Sequence, residues 1–421
     1  MTEHVATNET ILVVGGGISG MTAALEAAET GKNVVLVEKN PALGGRTSQL
    51  YRYFPKLCHP TCGLEINLRR LKNNPRVRVL TLAEVTGLSG GTGNYTASIK
   101  IKPRYVNENC TACGDCERAV EMKVDDPFNY NLGQHKAAFL PNAMAYPQRY
   151  VLDPAIIGTA DADKAKAACK YGAIDLDMQE ETIQVKAGAV VWATGWQPYD
   201  AAKIQPYGYG RFKNVITSVE FERLADIHGP TGGKILRPSD GKEAKNIAFI
   251  QCAGSRDENH LAHCSYICCL ASLKQASYVR ELYGDSKAKI FYIDIRTPGL
   301  YENRFYTKLK ADANVSFLKG KVAKIEAVEN GDVKVTAEDI HGGGKITETF
   351  DMVVLATGME PTARSLTGAG VPVTDDGFVD QATLPKGIYA TGTLKTPVDV
   401  ARSAQDATGV VMKSIQSLRR N

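Results

Sequence analysis

The stretch ILVVGGGISGMTAALEAAETGKNVVLVE, residues 11–38, decides the fold. Ile11–Val14 is an apolar run of the length of one buried strand, and residues 15–20 after it fit the pattern G-x-G-x-x-G. Alanine-rich residues 21–29 predict a helix, and residues 33–37 predict a second strand that ends at an acid. A glycine loop alone also fits an ordinary strand–turn–helix. Strand, loop, helix, strand and acid in this order predict a Rossmann-type unit that holds a dinucleotide.

Each glycine of this loop has its own physical role. Gly15 allows the tight turn, Gly17 lets the backbone approach a pyrophosphate, and Gly20 lets the helix pack on the strand. The free N–H groups and the positive dipole of the helix N-terminus favour phosphate. Glu38 stands where an acid binds ribose hydroxyls. The residues expected to contact the dinucleotide here are Gly15, Gly17, Ile18, Ser19, Gly20, Glu38 and Lys39.

A second glycine pair and three Ala-Thr-Gly segments indicate which dinucleotide is bound. Gly44-Gly45-Arg46 resembles the glycine pair of the glutathione reductase-like flavoproteins. Ala-Thr-Gly follows buried-type apolar runs at residues 193–195 and 356–358, and it recurs at residues 390–392. In that family an Asp usually follows the last segment and contacts the ribityl chain. Here the residue is Thr393, so we expect that contact to be weakened or replaced. The resemblance implies FAD.

The last helix is expected to complete the flavin site. Thr396 is a good N-cap and Pro397 suits the first helical position, so a helix is predicted to begin there with its positive end toward the flavin. A well-capped helix without that role is the alternative. The other FAD-binding residues implied by the resemblance are Gly44, Gly45, Arg46, Val85, Ala193, Thr194, Gly195, Gly358, Gly392, Thr393, Pro397 and Val398.

The middle of the chain repeats the strand–helix–strand pattern without its phosphate loop. Residues 245–250 predict a strand, residues 268–283 a helix and residues 290–295 another strand. The loop begins Gln251-Cys252-Ala253-Gly254, so Cys252 occupies the place of the first glycine. We therefore predict a nicotinamide-type domain that does not bind NAD(P). A divergent but working NAD(P) loop is the alternative.

Composition indicates the compartment. The 421 residues carry a net charge of +4 with no long basic run, so no nucleic-acid partner is expected. No apolar stretch reaches the ~18–20 residues that a membrane-spanning helix needs. Residues 1–10 are polar and lack the apolar core of a signal peptide, which predicts a cytoplasmic protein. In the cytoplasm, ten cysteines favour metal or redox chemistry over structural disulfides.

The first cysteine set has the spacing of a bacterial ferredoxin run. Cys110, Cys113 and Cys116 form C-x2-C-x2-C, which suits three thiolates around one face of a cluster. Val120 stands where the fourth cysteine of the run is expected, and Cys169 resembles the tail of a second run, which would supply the missing ligand. This set predicts one [4Fe–4S] cluster. A zinc site, or an insert without metal, is the alternative.

Two further groups of cysteines do not follow a ferredoxin spacing. The larger one consists of Cys252, Cys264, Cys268 and Cys269. Its two adjacent members, Cys268 and Cys269, can both bind one cluster if the chain kinks between them. The smaller one, Cys58 and Cys62, follows the second glycine motif, where the chain can pass over a flavin. A redox pair and two inert buried thiols are both open for Cys58 and Cys62.

Several of these motifs together resemble the heterodisulfide reductase A-type flavoprotein family, and within it most closely the A-type flavoproteins of the quinone-interacting membrane-bound oxidoreductases of sulfate reducers. The matching parts are residues 11–46, the cysteine triplet with residues 136–154, residues 250–257 with the cysteines that follow, and residues 292–299. The resemblance implies a [4Fe–4S] cluster next to FAD. Its ligands would be Cys252, Cys264, Cys268 and Cys269.

The resemblance also implies a function. Members of that group are thought to pass electrons between menaquinol and adenylylsulfate reductase in dissimilatory sulfate reduction. The implied partners are a second flavoprotein of the same family, a membrane subunit with haem and iron–sulfur centres, and adenylylsulfate reductase. The chain would then lie on the inner face of the membrane only through a partner. Electron bifurcation or confurcation at the FAD is a hypothesis carried by the family.

Two other functions stay open. One is an NAD(P)H-dependent disulfide or ferredoxin reductase that uses Cys58 and Cys62. The other is a structural scaffold whose FAD does not turn over.

The order of elements predicts an α/β protein. Two dinucleotide-binding domains of the glutathione/thioredoxin reductase type are expected, with a degenerate ferredoxin-like insert. The FAD domain is expected to take residues 1–103, 181–240 and 341–421, the insert residues 104–180, and the pseudo-NAD(P) domain with its cysteine cluster residues 241–340.

Overall fold

The computed structural model describes residues 9–54, 56–299 and 301–419. Most of the polar start of the chain, residues 1–8, lies outside the described residues. The chain forms two compact units. The first unit takes residues 1–196, 361–396 and 400–421, and the second takes residues 197–360 and 397–399.

The regular elements follow the chain in a mixed order. In the described part of the chain the α-helices are α1 (Ile18–Glu29), α2 (Thr61–Lys72), α3 (Asp115–Ala119), α4 (Ala160–Ala168), α5 (Ser218–Ala225), α6 (Cys268–Leu282), α7 (Lys308–Lys310) and α8 (Val400–Arg419). The strands there are β1 (Ile11–Val14), β2 (Val34–Glu38), β3 (Val77–Thr81), β4 (Ala83–Gly91), β5 (Asn94–Ile101), β6 (Lys123–Asp125), β7 (Gln134–Lys136), β8 (Ala138–Phe139), β9 (Val151–Leu152), β10 (Glu181–Ala187), β11 (Ala189–Trp192), β12 (Trp196–Pro198), β13 (Val215–Thr217), β14 (Asn246–Ala253), β15 (Lys287–Tyr292), β16 (Val315–Lys319), β17 (Val322–Ala327), β18 (Val333–Glu338), β19 (Lys345–Phe350), β20 (Met352–Thr357), β21 (Met359–Pro361) and β22 (Ile388–Ala390).

The first unit is built on a parallel sheet with the strand order β22-β11-β1-β2-β3. The runs ILVV and AVVW are buried along their whole length, because both faces of a parallel sheet are covered. Each fully buried Val, Leu or Ile side chain contributes roughly 1.5–3 kcal/mol. The strands predicted at residues 11–14 and 189–192 have these bounds in the structure.

The two faces of this sheet bury different side chains of the same strand. Ile11 and Val13 face a core shared with α1 and α8, whereas Leu12 and Val14 face a core shared with the antiparallel sheet β10-β5-β4. Helix α1 begins at Ile18, earlier than the predicted residue 21, because residues 15–17 suffice for the turn. This layering fixes the glycine loop at the carboxyl end of β1.

The cysteine-bearing insert has a small core of its own within the first unit. Strands β6 and β7 form one hairpin, and β8 pairs with β9. The apolar cluster of the insert includes Val106, Val120, Leu152 and Ile156. The buried Arg104 joins the insert to the loop after β2, since its guanidinium donates to the Pro41 carbonyl and to the Thr81 hydroxyl.

The second unit repeats the architecture, with the parallel order β13-β20-β14-β15-β16 and an antiparallel sheet β17-β18-β19. This arrangement corrects the expected boundaries, since residues 197–240 and 341–360 belong to the second unit and not to the FAD domain. The reason is strand pairing: β13 pairs with β20, β20 pairs with β14, and β19 pairs with β18.

The start of the last helix also differs from the prediction. Helix α8 begins at Val400, so Thr396 is not its cap and Pro397 is not its first residue. A 3-10 turn over Gly392–Leu394 precedes that segment instead. No helix within residues 9–419 that the structure describes is both long and apolar enough to cross a membrane.

Candidate cofactor sites

The first glycine motif is packed so closely that a side chain cannot replace Gly15 or Gly20. Gly15 has φ of 111°, and an ideal Cβ there would lie 2.4 Å from the Ala193 carbonyl oxygen. A Cβ on Gly20 would lie 1.7 Å from the Gly15 carbonyl oxygen. A Cβ on Gly45 would lie 2.7 Å from the Gly17 Cα, so the two glycine motifs meet backbone to backbone. Such a cradle suits a pyrophosphate that must approach the main chain.

The carboxylate of Glu38 ties this loop to the end of β2. Its Oε2 accepts the Gly16 N–H at 2.6 Å, and its Oε1 accepts the Asn40 N–H at 2.8 Å. Burial raises the pKa of this carboxyl, although both N–H groups and Lys39 oppose the rise. Each carboxylate oxygen keeps a further lone pair, so the predicted contact with ribose hydroxyls is compatible with these bonds.

Arg46 connects the second glycine motif to the insert. Its Nε donates to the Trp196 carbonyl oxygen at 3.2 Å, and its Nη1 donates to the Tyr130 hydroxyl at 2.9 Å. The guanidinium also lies 5.6 Å from the centre of each of these two aromatic rings. Gln49 adds a hydrogen bond from its amide to the Phe128 carbonyl oxygen at 2.9 Å. The insert is therefore held against the loop predicted to bind FAD.

The loop after β22 reaches the same place. A Cβ on Gly392 would lie 2.2 Å from the Ser19 Oγ, and one on Gly195 would lie 3.6 Å from the Thr393 Oγ1. The structure therefore brings together four predicted FAD-binding segments of the first unit. They are residues 15–20, 44–46, 193–195 and 392–393.

Asp406 of α8 orders the loop after β22, and no sequence pattern pointed to it. Its Oδ2 accepts the Thr391 hydroxyl at 2.8 Å and the Gly392 N–H at 2.9 Å, and its Oδ1 accepts a bond from Lys395. Burial acts to raise the pKa of Asp406, but these donors outweigh it and hold the pKa below its usual range. Asp406 thus supplies a carboxylate to a loop in which Thr393 replaces the expected acid.

Other predicted FAD-binding residues lie apart from these four segments. Val85 is a buried core residue of β4, and Lys39 is exposed after β2. Gly358 lies in the second unit, where a Cβ would come within 2.4 Å of the Ser255 Oγ. Pro397 and Val398 lie in the short segment grouped with the second unit. Contact of these residues with FAD stays a prediction.

All four thiols of the first cysteine set line one cavity in the insert. Its wall includes Cys110, Cys113, Cys116, Cys169, Tyr150 and Tyr171. Ala112 has φ of 55° and Gly114 has φ of 83°, so the chain turns sharply between successive cysteines. These turns are what the C-x2-C-x2-C spacing requires for three thiols to face one centre.

Backbone N–H groups point at the sulfurs of this set. The Ala112 N–H donates to the Cys110 Sγ at 3.5 Å, and the Ala173 N–H donates to the Cys169 Sγ at 3.3 Å. Burial, with a contribution from the other three thiols, raises the pKa of Cys116 to about 12. The Cys116 thiol therefore ionises readily only when a cationic centre binds it.

The second cysteine set lies where the parallel strands of the second unit end. Cys252 is in β14, Cys268 and Cys269 begin α6, and Cys264 lies in the loop between these elements. The pairing of β14 with β20 shifts between Ile250 and Ala253, which marks a bulge at the cysteine. This edge of a parallel sheet is the usual place for a ligand in such folds.

Cys252, like Gly15 of the first loop, has a positive φ. Its φ is 56°, in the left-handed region that costs an L-residue roughly 1–2 kcal/mol. The chain then takes residues 254–267 to reach α6. A phosphate loop would lead directly into the helix, so the chain follows a different path here, and the loss of NAD(P) binding stays a prediction.

The four thiols of the second set lie close enough to act on one another. Burial raises the pKa of Cys268 well above its usual range, and the other three thiols add to the rise. Burial, with smaller contributions from Cys252, Cys264 and Asp294, raises the pKa of Cys269 to about 11. Arg256, which is paired with Asp294, lies beside Cys252 and partly offsets the effect of burial on its pKa.

Buried polar groups that sequence patterns did not reveal support this second set. The Ser255 and Ser265 hydroxyls lie 2.9 Å apart, and the Ser265 Oγ accepts the Met359 N–H at 2.7 Å. The Cys268 thiol donates to the Thr357 carbonyl oxygen at 3.8 Å. These contacts anchor the loop between β14 and α6 to the end of β20.

Neither set forms a compact site for a single ion. Among residues 9–54, 56–299 and 301–419, no three His, Cys, Asp or Glu side chains are placed to hold one metal ion. This finding concerns ions such as zinc, whose four ligands meet on one atom. A [4Fe–4S] cluster is held by four thiolates spread around a larger core.

Cys58 and Cys62 lie near one phenol in the first unit. Burial raises the pKa of the Tyr53 hydroxyl, and both thiols add to the rise. The Tyr53 N–H donates to the Cys58 carbonyl oxygen at 3.2 Å, and Cys62 lies in the first turn of α2. Both cysteines are free thiols. Their service as a redox pair stays a prediction.

Comparison with known families matches the start of the chain. Residues 10–62 match the family described as FAD dependent oxidoreductase. This segment contains the first glycine loop, Glu38 and the second glycine pair, which together with Gly195 and Gly392 form the cradle described above. The prediction of FAD is thereby supported.

Curated relatives match almost the whole chain. It is 35% identical over 438 residues to an A-type iron–sulfur component of the CoB–CoM heterodisulfide reductase of Methanopyrus kandleri, covering 99% of this chain and 65% of that protein. It is 34% identical over 432 residues to the A component of the H2:CoB–CoM heterodisulfide, ferredoxin reductase of Methanothermobacter marburgensis, covering 97% and 64%. The chain thus spans slightly less than two thirds of the length of these relatives.

Solved structures show the same fold at low identity. The thioredoxin reductase of T. acidophilum is 15% identical with a TM-score of 0.54, and the match covers 98% of each chain. The thioredoxin reductase of Lactococcus lactis is 11% identical with a TM-score of 0.54, covering 98% of this chain and all of that one (100%). The predicted α/β fold of the glutathione/thioredoxin reductase type is confirmed. Along nearly its whole length the chain is similar to the A-type components of heterodisulfide reductases, and its first segment matches a family of FAD dependent oxidoreductases.

Proposed function

We propose that this chain is an electron-transfer flavoprotein subunit that holds one FAD and two [4Fe–4S] clusters. FAD would be held in the first unit by residues 15–20, 44–46, 193–195 and 392–393. One cluster would be held by Cys110, Cys113, Cys116 and Cys169, and the other by Cys252, Cys264, Cys268 and Cys269. The observation that carries the proposal is the grouping of eight of the ten cysteines into two sets of four neighbouring thiols.

The residues of the chain fit these groups in separate ways. The glycine cradle leaves main chain free for a pyrophosphate, since a Cβ at Gly15 or Gly20 would fill it. The half-buried thiols of Cys110 and Cys169 each accept a backbone N–H, which stabilises negative charge on sulfur. When bound, FAD exchanges electrons singly or in pairs, whereas a cluster carries one at a time. The protein positions these groups and sets their electrostatic surroundings.

Cofactor analysis of the anaerobically purified chain tests the proposal. We expect one FAD and about eight irons with matching acid-labile sulfide per chain. Cys113→Ser and Cys268→Ser should each remove about four irons and leave the FAD. Cys62→Ser, at an exposed cysteine outside both sets, is the matched control and should keep all the iron. FAD without iron in the wild-type chain would refute the cluster assignments and would favour the disulfide reductase alternative.

We further propose that the chain works in a complex that passes electrons between the quinone pool and adenylylsulfate reductase. The support is the likeness of its motifs to the A-type flavoproteins of quinone-interacting oxidoreductases, together with the names of its curated relatives, which are components of multi-subunit reductases. The proposed partners are a second flavoprotein of this family and a membrane subunit with haem and iron–sulfur centres, which would hold the chain at the inner face of the membrane.

Electron transfer to the proposed acceptor can be measured directly. The dithionite-reduced chain, freed of excess reductant and mixed with adenylylsulfate reductase and adenylylsulfate, should be reoxidised and sulfite should form. The Cys268→Ser chain is the control and should be reoxidised more slowly. No reoxidation by this acceptor, with iron and FAD in place, would reject this electron partner and leave the cofactor proposal standing.

Electron bifurcation or confurcation at the FAD is a further part of the proposal that rests on the family resemblance. Bifurcation requires that each electron pair is divided equally between a high-potential and a low-potential acceptor. The test is to supply both acceptors to the assembled complex and to count the electrons that each receives. Unequal delivery, or delivery to the high-potential acceptor alone, would rule it out.

A further inference from the structure

Gln251 presents a buried amide to one thiol of the second cysteine set. The residue is only 5% exposed and directly precedes Cys252 at the bulge of β14. The Cys269 thiol donates to the Gln251 Oε1 at 3.3 Å. The same sulfur lies 3.6 Å from the Asp294 carbonyl oxygen. The side-chain amide is therefore a direct neighbour of Cys269 at the site of the proposed cluster.

The amide nitrogen of Gln251 has no hydrogen-bond partner in this arrangement. Its Nε2 is one of the few buried side-chain polar atoms without a partner among the described residues. A buried N–H group without an acceptor costs roughly 1–3 kcal/mol and is rare in folded proteins. Such a group indicates either local strain or an acceptor that comes with a bound ligand.

If Cys269 binds iron, the donor and the acceptor of its 3.3 Å contact with the Gln251 amide exchange roles. A cysteine that binds iron does so as a thiolate, which has no proton to donate and can only accept. The two ends of a glutamine amide have the same shape, and half a turn about the last side-chain bond exchanges them. That turn places Nε2 against the sulfur, and the N–H then meets an anionic acceptor. The carbonyl oxygen moves into the buried position, where lacking a partner is less costly than for an N–H.

We infer that Gln251 donates a hydrogen bond to the Cys269 sulfur of the proposed cluster and thereby sets its reduction potential. The inference rests on the proposed cluster at Cys252, Cys264, Cys268 and Cys269. A reduced cluster carries one more negative charge than the oxidised one, and a donor at its ligand sulfur stabilises that charge. Hydrogen bonds to the sulfurs are among the factors that set cluster potentials. Gln251 is a positioning residue of the cluster, because it acts through Cys269.

Redox titration followed by electron paramagnetic resonance tests the role of Gln251. Gln251→Glu keeps the shape of the side chain but removes the N–H group, and Gln251→Leu removes all polarity. Both variants should keep about eight irons and one FAD, and the midpoint potential of one cluster should fall. The other cluster is an internal control whose potential should not move. A Cys113→Ser chain, which lacks the insert cluster, identifies which signal belongs to which site.

Tyr283→Phe is a matched control, since it removes one polar atom at the far end of α6 from Cys268. It should leave both potentials unchanged. Retained iron with an unshifted potential in both Gln251 variants would overturn the inference. Loss of that cluster from both variants would overturn it too, because Gln251 would then be needed for assembly and not for tuning. Absence of iron from this site in the wild-type chain would instead refute the proposed function.

Discussion

The two parallel sheets of this protein each carry a strand, a loop and a helix at the position where a dinucleotide usually binds, and the two loops have diverged completely. Between β1 and α1 there are only residues 15–17, and Gly15 has φ of 111°. Between β14 and α6 there are residues 254–267, and Cys252 has φ of 56° in the strand just before them. The first loop is short and leaves main chain bare for phosphate. The second is long and brings four thiols together.

The difference shows that the strand–helix frame does not decide what is bound. Both central strands end at residues with positive φ, which are Gly15 after β1 and Cys252 and Gly254 at the end of β14. The left-handed backbone of Cys252 costs roughly 1–2 kcal/mol. It places a thiol at the end of the strand. The residue at the end of the strand, the length of the loop and its cysteines together separate a phosphate cradle from a candidate cluster site.

The largest effect is expected from Gly20→Ala in the first loop. The new Cβ would lie 1.7 Å from the Gly15 carbonyl oxygen, so the helix must move away from the loop. FAD affinity should fall more than ten-fold, which is about 1.4 kcal/mol or more. FAD content after gel filtration is the measurement, and the four irons assigned to the second unit should be retained.

Gly409→Ala is the matched control for that substitution. Gly409 is also a helical glycine, but a Cβ there has no atom within 4 Å. The change should keep the FAD and raise the free energy of unfolding by roughly 0.5–1 kcal/mol. Equal loss of FAD from both variants would contradict the role assigned to the close contact at Gly20.

Cys252→Gly makes the second loop more like the first. About four irons should be lost while FAD is kept, since one of the four proposed ligands is gone. The iron-free variant should be more stable than iron-free Cys252→Ala by about 1 kcal/mol, because only glycine relieves the left-handed backbone. Urea unfolding of the two iron-free variants measures this difference. A glycine variant that keeps all its iron would exclude Cys252 as a ligand.

A smaller effect is expected from Asp406→Asn at the edge of the FAD cradle. The loss of charge weakens the bonds to Thr391, Gly392 and Lys395, and FAD affinity should fall by roughly ten-fold. The pKa of Asp406 is held low in the folded protein, so its stabilising effect is present above the unfolded pKa of about 3.9 and is lost as the pH falls through the folded value.

Fluorescence titration with FAD at neutral pH and unfolding curves down to about pH 3 measure both effects of Asp406→Asn. The exposed Asp163→Asn is the control and should behave like the wild-type chain. An asparagine variant with the wild-type acid sensitivity would show that another group is responsible for it.

The sequence allowed good prediction where local pattern and local structure coincide. The strands at residues 11–14 and 189–192 could be predicted because each is a continuous apolar run, which is the pattern of a strand that is buried on both faces. The start of α8 was missed because Thr396 and Pro397 look like a helix start, whereas the chain first forms a 3-10 turn. Asp406 and Gln251 were missed because each acts through contacts that no spacing rule encodes.

The FAD cradle draws its walls from both ends of the chain, and this has a consequence for biosynthesis. Residues 15–20 leave the ribosome first, but the Ala193 carbonyl that closes on Gly15 and the Gly392 backbone that closes on Ser19 are made much later. Asp406, which holds that last loop, follows still later. The nascent chain therefore has only a partial cradle until Asp406 has been made, and we expect FAD to be taken up only after that point.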